Sequence, residues 1–179
     1  MVRNVRGMAV VGPEALMLSL ARVLDAEALE IACEDARRKR LTSIPALRSY
    51  LTKFGRNRPG AAALRGLLDE LDPVHPARST LEVKTRRLLV ANGITDFVRE
   101  FPLTWKGRTY RYDFGFPSRR TILETNGRRW HDDAADYEDD NDKWSVPGRL
   151  GYRIELATWA KVTRDPHSLL TDLTAALAA

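Results

Sequence analysis

The sequence predicts an α/β protein, with a helical N-terminal bundle followed by a mixed sheet that helices pack against. Three observations lead there. Apolar residues recur at helical spacing up to about Asp72. The two prolines of "DPVHPARS" then interrupt that texture. Beyond them, short runs of aromatic and β-branched residues alternate with polar ones between turn residues. The expected partition is a helical region over 1–72, a linker over 73–78 and an α/β domain over 79–179.

Each element has a local reason. In "GPEALMLSLARVL", Pro13 suits a helix start. "DAEALEIACEDARRKR" opens on Asp25 as an N-cap and ends in four cations that suit the negative end of a helix dipole. "TSIPALRSYLTKF" has Thr42 or Ser43 as cap and stops before Gly55, and "RPGAAALRGLLDEL" gives a fourth helix. "STLEVKTRRLLVANG" predicts a helix ending at Gly93. "VREFPLTWKGRTYRYDFGF" predicts two strands around a Lys106–Gly107 turn, and "RTILETN" a third after a Pro117–Ser118 turn. "DYEDDNDKWSV" reads as a helix that Pro147 and Gly148 end or kink. "GYRIELATW" is a fourth strand and "PHSLLTDLTAALA" a closing helix.

Composition narrows the function. The chain has 179 residues, 44% hydrophobic and 30% charged, which suits an ordinary globular protein. It has neither an 18-residue apolar run nor a signal-peptide pattern, so no membrane partner and a cytoplasmic location are expected. The single Cys33 cannot form an internal disulfide or anchor a zinc site alone. The net charge of +5 permits a polyanionic partner. The cations cluster at "RRKR" (Arg37 to Arg40), "RNR" (Arg56 to Arg58), and the pairs Arg86–Arg87, Arg119–Arg120 and Arg128–Arg129.

The chemistry centres on "YRYDFGFPSRRTILETNGRRWH". Strand alternation puts Tyr110, Tyr112, Phe114 and Phe116 on a core face, with Arg111 and Asp113 on the opposite, polar face. In the next strand Glu124 and Asn126 share a face. If the strands pair as a meander, Asp113 and Glu124 come within a few ångströms. Two such carboxylates repel and raise one pKa, a conflict that a divalent cation removes. Pairing with Arg111 or Arg128 as exposed sheet residues is the other reading.

These residues also resemble a known family. Asp113–Phe114, Glu124-Thr125-Asn126-Gly127, His131, "DNDK" at Asp140 to Lys143, "GYRIELATW" and "DPHSLL" follow in order. Together they resemble the very-short-patch-repair-like endonuclease domains of the PD-(D/E)xK nuclease superfamily, found in actinobacterial proteins of the abortive-infection antitoxin type. The resemblance covers about Ser79 to the C-terminus. It implies a restriction-endonuclease-like fold and a Mg²⁺- or Mn²⁺-dependent endonuclease. Asp113 and Glu124 would be metal ligands, and Glu82 matches a position that often adds a third carboxylate. Ser79-x-x-Glu82 is also a capping box, in which the glutamate only closes a helix. The upstream helices resemble the linker after a small winged-helix domain, and a separate DNA-reading module is expected to be absent.

The sequence departs from the pattern at Asn126, which replaces the motif lysine and cannot act as a base. His131 is the candidate for proton transfer and Lys143 for the missing cation. Arg111, Arg119, Arg120, Arg128 and Arg129 are candidates for phosphate contacts. Seven acids within residues 132–142 oppose a DNA backbone unless they face away, gate the site or dock a basic partner. Two functions follow: a DNA endonuclease, with RNA not separable by sequence, or a nuclease-fold module without cleavage. The second would bind DNA, a protein partner or a second copy of itself in a defence or toxin–antitoxin system.

Overall fold

Local signals set most of the elements, and a computed structural model describes residues 2–71, 77–126 and 143–179. By its internal contacts the chain divides between Val83 and Lys84.

The first unit opens on an antiparallel hairpin, β1 (Val2–Val5) and β2 (Met8–Val11). An all-helical N-terminal region was expected, and this hairpin corrects it. Its two-residue turn, Arg6–Gly7, has φ of +51° and +82°, the handedness that matches strand twist. The valines on either side of "RG" are the signal for it. Then come α1 (Pro13–Leu20), α2 (Ala26–Arg38), α3 (Ile44–Phe54) and α4 (Ala61–Glu70). Asp25 caps α2 by accepting from Ala28 N–H at 2.7 Å, and Ser43, rather than Thr42, caps α3 at 3.3 Å. Leu29, Cys33 and Ala36 of α2, Leu47 and Leu51 of α3, and Leu64 and Leu68 of α4 meet Met17 and Leu18 in one core. Their spacing of three or four residues keeps each set on one helix face.

Helix α5 (Thr80–Ala91) crosses the division and ends before Gly93, whose φ is +75°. The second unit holds a four-stranded mixed sheet in the order β3-β4-β5-β6: Val98–Trp105, Arg108–Phe116, Thr121–Asn126 and Arg153–Thr158. The first three run antiparallel, while β6 lies parallel to β5. A 3-10 turn, Pro117–Arg119, joins β4 to β5. The described part of α6, residues 143–149, runs through Pro147 and Gly148. The helix was expected to end or kink there, and it ends at Arg149, directly after Gly148. The short α7 (Trp159–Thr163) and α8 (Pro166–Ala178) close the chain. Four of the six β5 residues are buried, as a central strand covered on both sides requires. Among the described residues no helix is long and apolar enough to cross a membrane.

The expected single aromatic face of β4 does not hold. Tyr110 and Tyr112 pack with Leu103, Ile122 and Val146. Phe114 and Phe116 instead meet Phe97 edge-on, at 5.2 and 6.3 Å between ring centroids. Gly115 marks the change, because a Cβ there would lie 2.2 Å from the Phe101 ring. The alternation is interrupted opposite Glu100, a non-glycine residue with φ of +49°.

Candidate metal centre

The carboxylates sit where the sheet opens. The β3–β4 ladder runs from Val98↔Gly115 to Trp105↔Arg108 but skips the rung between Glu100 and Asp113. The β4–β5 ladder stops at Phe114↔Leu123, one residue short of Asp113 and Glu124. Side chains replace the lost backbone bonds there. Asp113 N–H donates to Glu124 Oε2 at 2.8 Å, and Thr125 N–H donates to Asp113 Oδ2 at 2.8 Å. The Thr125 hydroxyl also donates to Asp113 Oδ2. Each carboxylate thus holds the backbone of the neighbouring strand.

Both are buried, with Asp113 7% and Glu124 6% exposed, whereas a polar, half-exposed face was expected. Truncating Asp113 would therefore leave the Thr125 donors without their acceptor. Burial first, then the charge of Asp113, pushes the Glu124 carboxyl above its usual range, while Lys143 pulls it back.

Lys143 comes from α6. Its Nζ donates to Glu124 Oε1, and it lies 5.5 Å from the Tyr112 ring centroid. The Tyr112 hydroxyl donates to the Lys143 carbonyl at 2.7 Å, which ties this described turn of α6 to the strand. Burial, followed by the charge of Glu124, raises the Tyr112 pKa, so the phenol stays a neutral donor.

Sequence reasoning passed over Glu100 and Thr125. Glu100 is buried close to Asp113 in the second unit, and Glu82 is buried in the first. Glu82 sits in the first turn of α5, a continuous helix into the second unit. It also serves the cap: its N–H donates to Ser79 Oγ at 3.1 Å, and its Oε2 accepts from Arg78 N–H at 2.6 Å. Of the two roles expected for it, these bonds are those of the capping box. An acid interrupting the apolar run of "VREFPLTW" was the available signal for Glu100.

The other expected site residues fall elsewhere. Asn126 ends β5, exposed, and lines a hollow of about 580 Å³ with Thr158, Trp159 and Arg164. Arg111 is exposed and donates to the Glu100 carbonyl at 3.2 Å. Arg119 and Arg120 lie on the β4–β5 turn and line a separate hollow with Arg153 and Gly151. His131, Arg128, Arg129 and the whole acidic run lie outside the described residues. Much of "RRKR" is spent internally: Arg37 pairs with Glu34 at 2.8 Å, while Arg38 and Lys39 share Asp35. Burial pushes the Cys33 thiol up to about 12, which makes it inert at neutral pH.

Family models, curated proteins and solved structures were compared with the chain, and none matches.

Proposed function

We propose that this chain is a metal-dependent endonuclease of the PD-(D/E)xK type that hydrolyses phosphodiester bonds in DNA. The observation that carries this reading is the interlocked pair Asp113 and Glu124 at the sheet opening, with Lys143 on Glu124. The residues fit a hard divalent cation such as Mg²⁺ or Mn²⁺: the donors are carboxylate oxygens, rigidly held and mutually repelling. When bound, such an ion polarises water and offsets charge on the phosphoryl oxygens. Asp113 and Glu124 hold ligand atoms in place through backbone bonds that resist rearrangement. Lys143 supplies the cation that Asn126 cannot, and its contact with Glu124 balances charge in the meantime.

A second reading has its own observation. Asp113 Oδ2 is satisfied by Thr125, and both Glu124 oxygens by Asp113 N–H and Lys143. A site so complete internally also suits a nuclease fold that binds without cutting.

The test is cleavage of supercoiled DNA, mismatched duplex and RNA in a Mg²⁺ and Mn²⁺ series, with EDTA as control. Asp113→Asn keeps the shape of the side chain and should slow cleavage by at least about 10²-fold, the scale of one transition-state charge contact. Equal rates for wild type and Asp113→Asn, or cleavage that survives EDTA, would sink the endonuclease reading. No cleavage with binding retained would favour the second.

A further inference from the structure

We propose that the helical unit carries a second site, a hollow that accepts one unstacked base of a single-stranded nucleic acid. It goes beyond the nuclease reading and does not depend on it. The hollow, about 220 Å³, lies among Leu18, Arg22, Tyr50, Phe54, Arg58 and Pro59. Whole small-molecule sites span about 300–1,000 Å³, so this one suits a single flat ring rather than a cofactor.

The chain builds the hollow by bringing a loop against a helix end. Residues 55–60 read "GRNRPG", and Asn57 and Gly60 both adopt positive φ, +55° and +84°. A Cβ on Gly60 would lie 2.8 Å from the Ala21 carbonyl carbon. The loop backbone therefore rests directly on the end of α1, which brings Arg58 and Arg22 to one opening. Phe54, on the last turn of α3, stays 50% exposed. Its ring centroid is 4.9 Å from that of Tyr50, at 44°. A half-exposed phenylalanine held by a second ring at the mouth of a hollow is a stacking platform.

The charges name the ligand class. Arg37, Arg38 and Lys39 of "RRKR" have carboxylate partners on α2, but Arg22 and Arg58 have none among the described residues. Both are exposed, and Arg56 adds a third exposed guanidinium on the same loop. A single strand offers a phosphate on either side of every base, matching two anion-seeking groups around one aromatic platform. A duplex keeps its bases stacked and cannot present one to the hollow.

The experiment measures fluorescence anisotropy of a labelled ten-nucleotide thymidine strand on the full chain in EDTA, so that cleavage cannot intervene. Phe54→Leu keeps the apolar volume but removes the flat ring, and should weaken binding about fivefold to a hundredfold. Phe54→Trp should retain it. An abasic strand of equal charge should bind as weakly to wild type as the thymidine strand binds to Phe54→Leu. Removing Arg22 and Arg58 together should lower the slope of log affinity against log salt by about 1.4, at roughly 0.7 per phosphate contact. Circular dichroism should show each variant folded. The proposal is overturned if Phe54→Leu binds as wild type does, or if the abasic strand binds equally well. It also fails if an acidic aromatic peptide displaces the strand at lower concentration than unlabelled thymidine strand does. Active cleavage with no Phe54 effect would remove this site and leave the nuclease intact.

Discussion

The two units bury charge in different ways. On α2, Glu34 and Arg37 pair within one helix turn at 2.8 Å, and both side chains are almost fully enclosed. In the sheet, Asp113 and Glu124 come from neighbouring strands, and a lysine that is 26% exposed pairs with Glu124. The first arrangement is set by spacing along one helix and is closed within it. The second joins three separated elements and leaves two carboxylates against one ammonium. An ion pair closed within one helix turn asks for no ligand, whereas two carboxylates held together from neighbouring strands have room for a cation. That contrast makes the sheet opening the functional candidate and the helical pair a structural one.

Cleavage is where the contrast should be largest: Asp113→Asn is expected to remove activity, while Arg37→Met should change only the amount of folded protein. In stability the order reverses. Arg37→Met strips Glu34 of a buried partner and should cost about 3–5 kcal/mol in denaturant unfolding, whatever metal is present. Lys143→Met should cost less, about 1–3 kcal/mol, because water still reaches the ammonium position. Millimolar Mg²⁺ or Mn²⁺ should recover that loss but not the loss from Arg37→Met. A Lys143→Met protein that divalent ions fail to stabilise would break the comparison.

A smaller effect concerns the frame. Gly115→Ala places a methyl group inside the Phe101 ring position and should destabilise by about 1–3 kcal/mol. Because that shift would spread the sheet near Asp113, the variant should also bind metal more weakly, as titration calorimetry can show.

The finest test is pH. The folded Glu124 carboxyl sits above its unfolded value, so the folded state holds more protons in the window between the two. Without metal, that group's contribution to stability should therefore fall as pH rises through the window. In Glu124→Gln the same stretch of the melting-temperature profile should flatten. Divalent ions should stabilise wild type above the window more than below it, since a protonated carboxyl is a poor ligand. A wild-type profile identical to that of Glu124→Gln would show that this group does not titrate differently on folding.

Short-range chemistry explains how far the sequence could be read. Asp25 and Ser43 cap their helices because a side-chain oxygen reaches an N–H three residues on, whatever the rest of the chain does. The Lys106–Gly107 turn, with φ of +47° and +81°, sets the β3–β4 register by itself. Through the short connection at Pro117, it brings Asp113 and Glu124 onto adjacent strands. The sequence by itself determined those features, along with the order of elements in the sheet unit. Only tertiary structure decided that Lys143, nineteen residues beyond Glu124, would land on its carboxylate. That contact depends on where the connection from β5 returns α6 to the sheet. Tertiary structure also decided the break in alternation at Asp113, the positive φ that accompanies Glu100, and the burial of both site carboxylates. Strand periodicity assumes a regular ladder, and here the ladder opens at the residues that carry the chemistry. A carboxylate that replaces a missing backbone bond is invisible to a two-residue repeat, because its partner is chosen by the neighbouring strand.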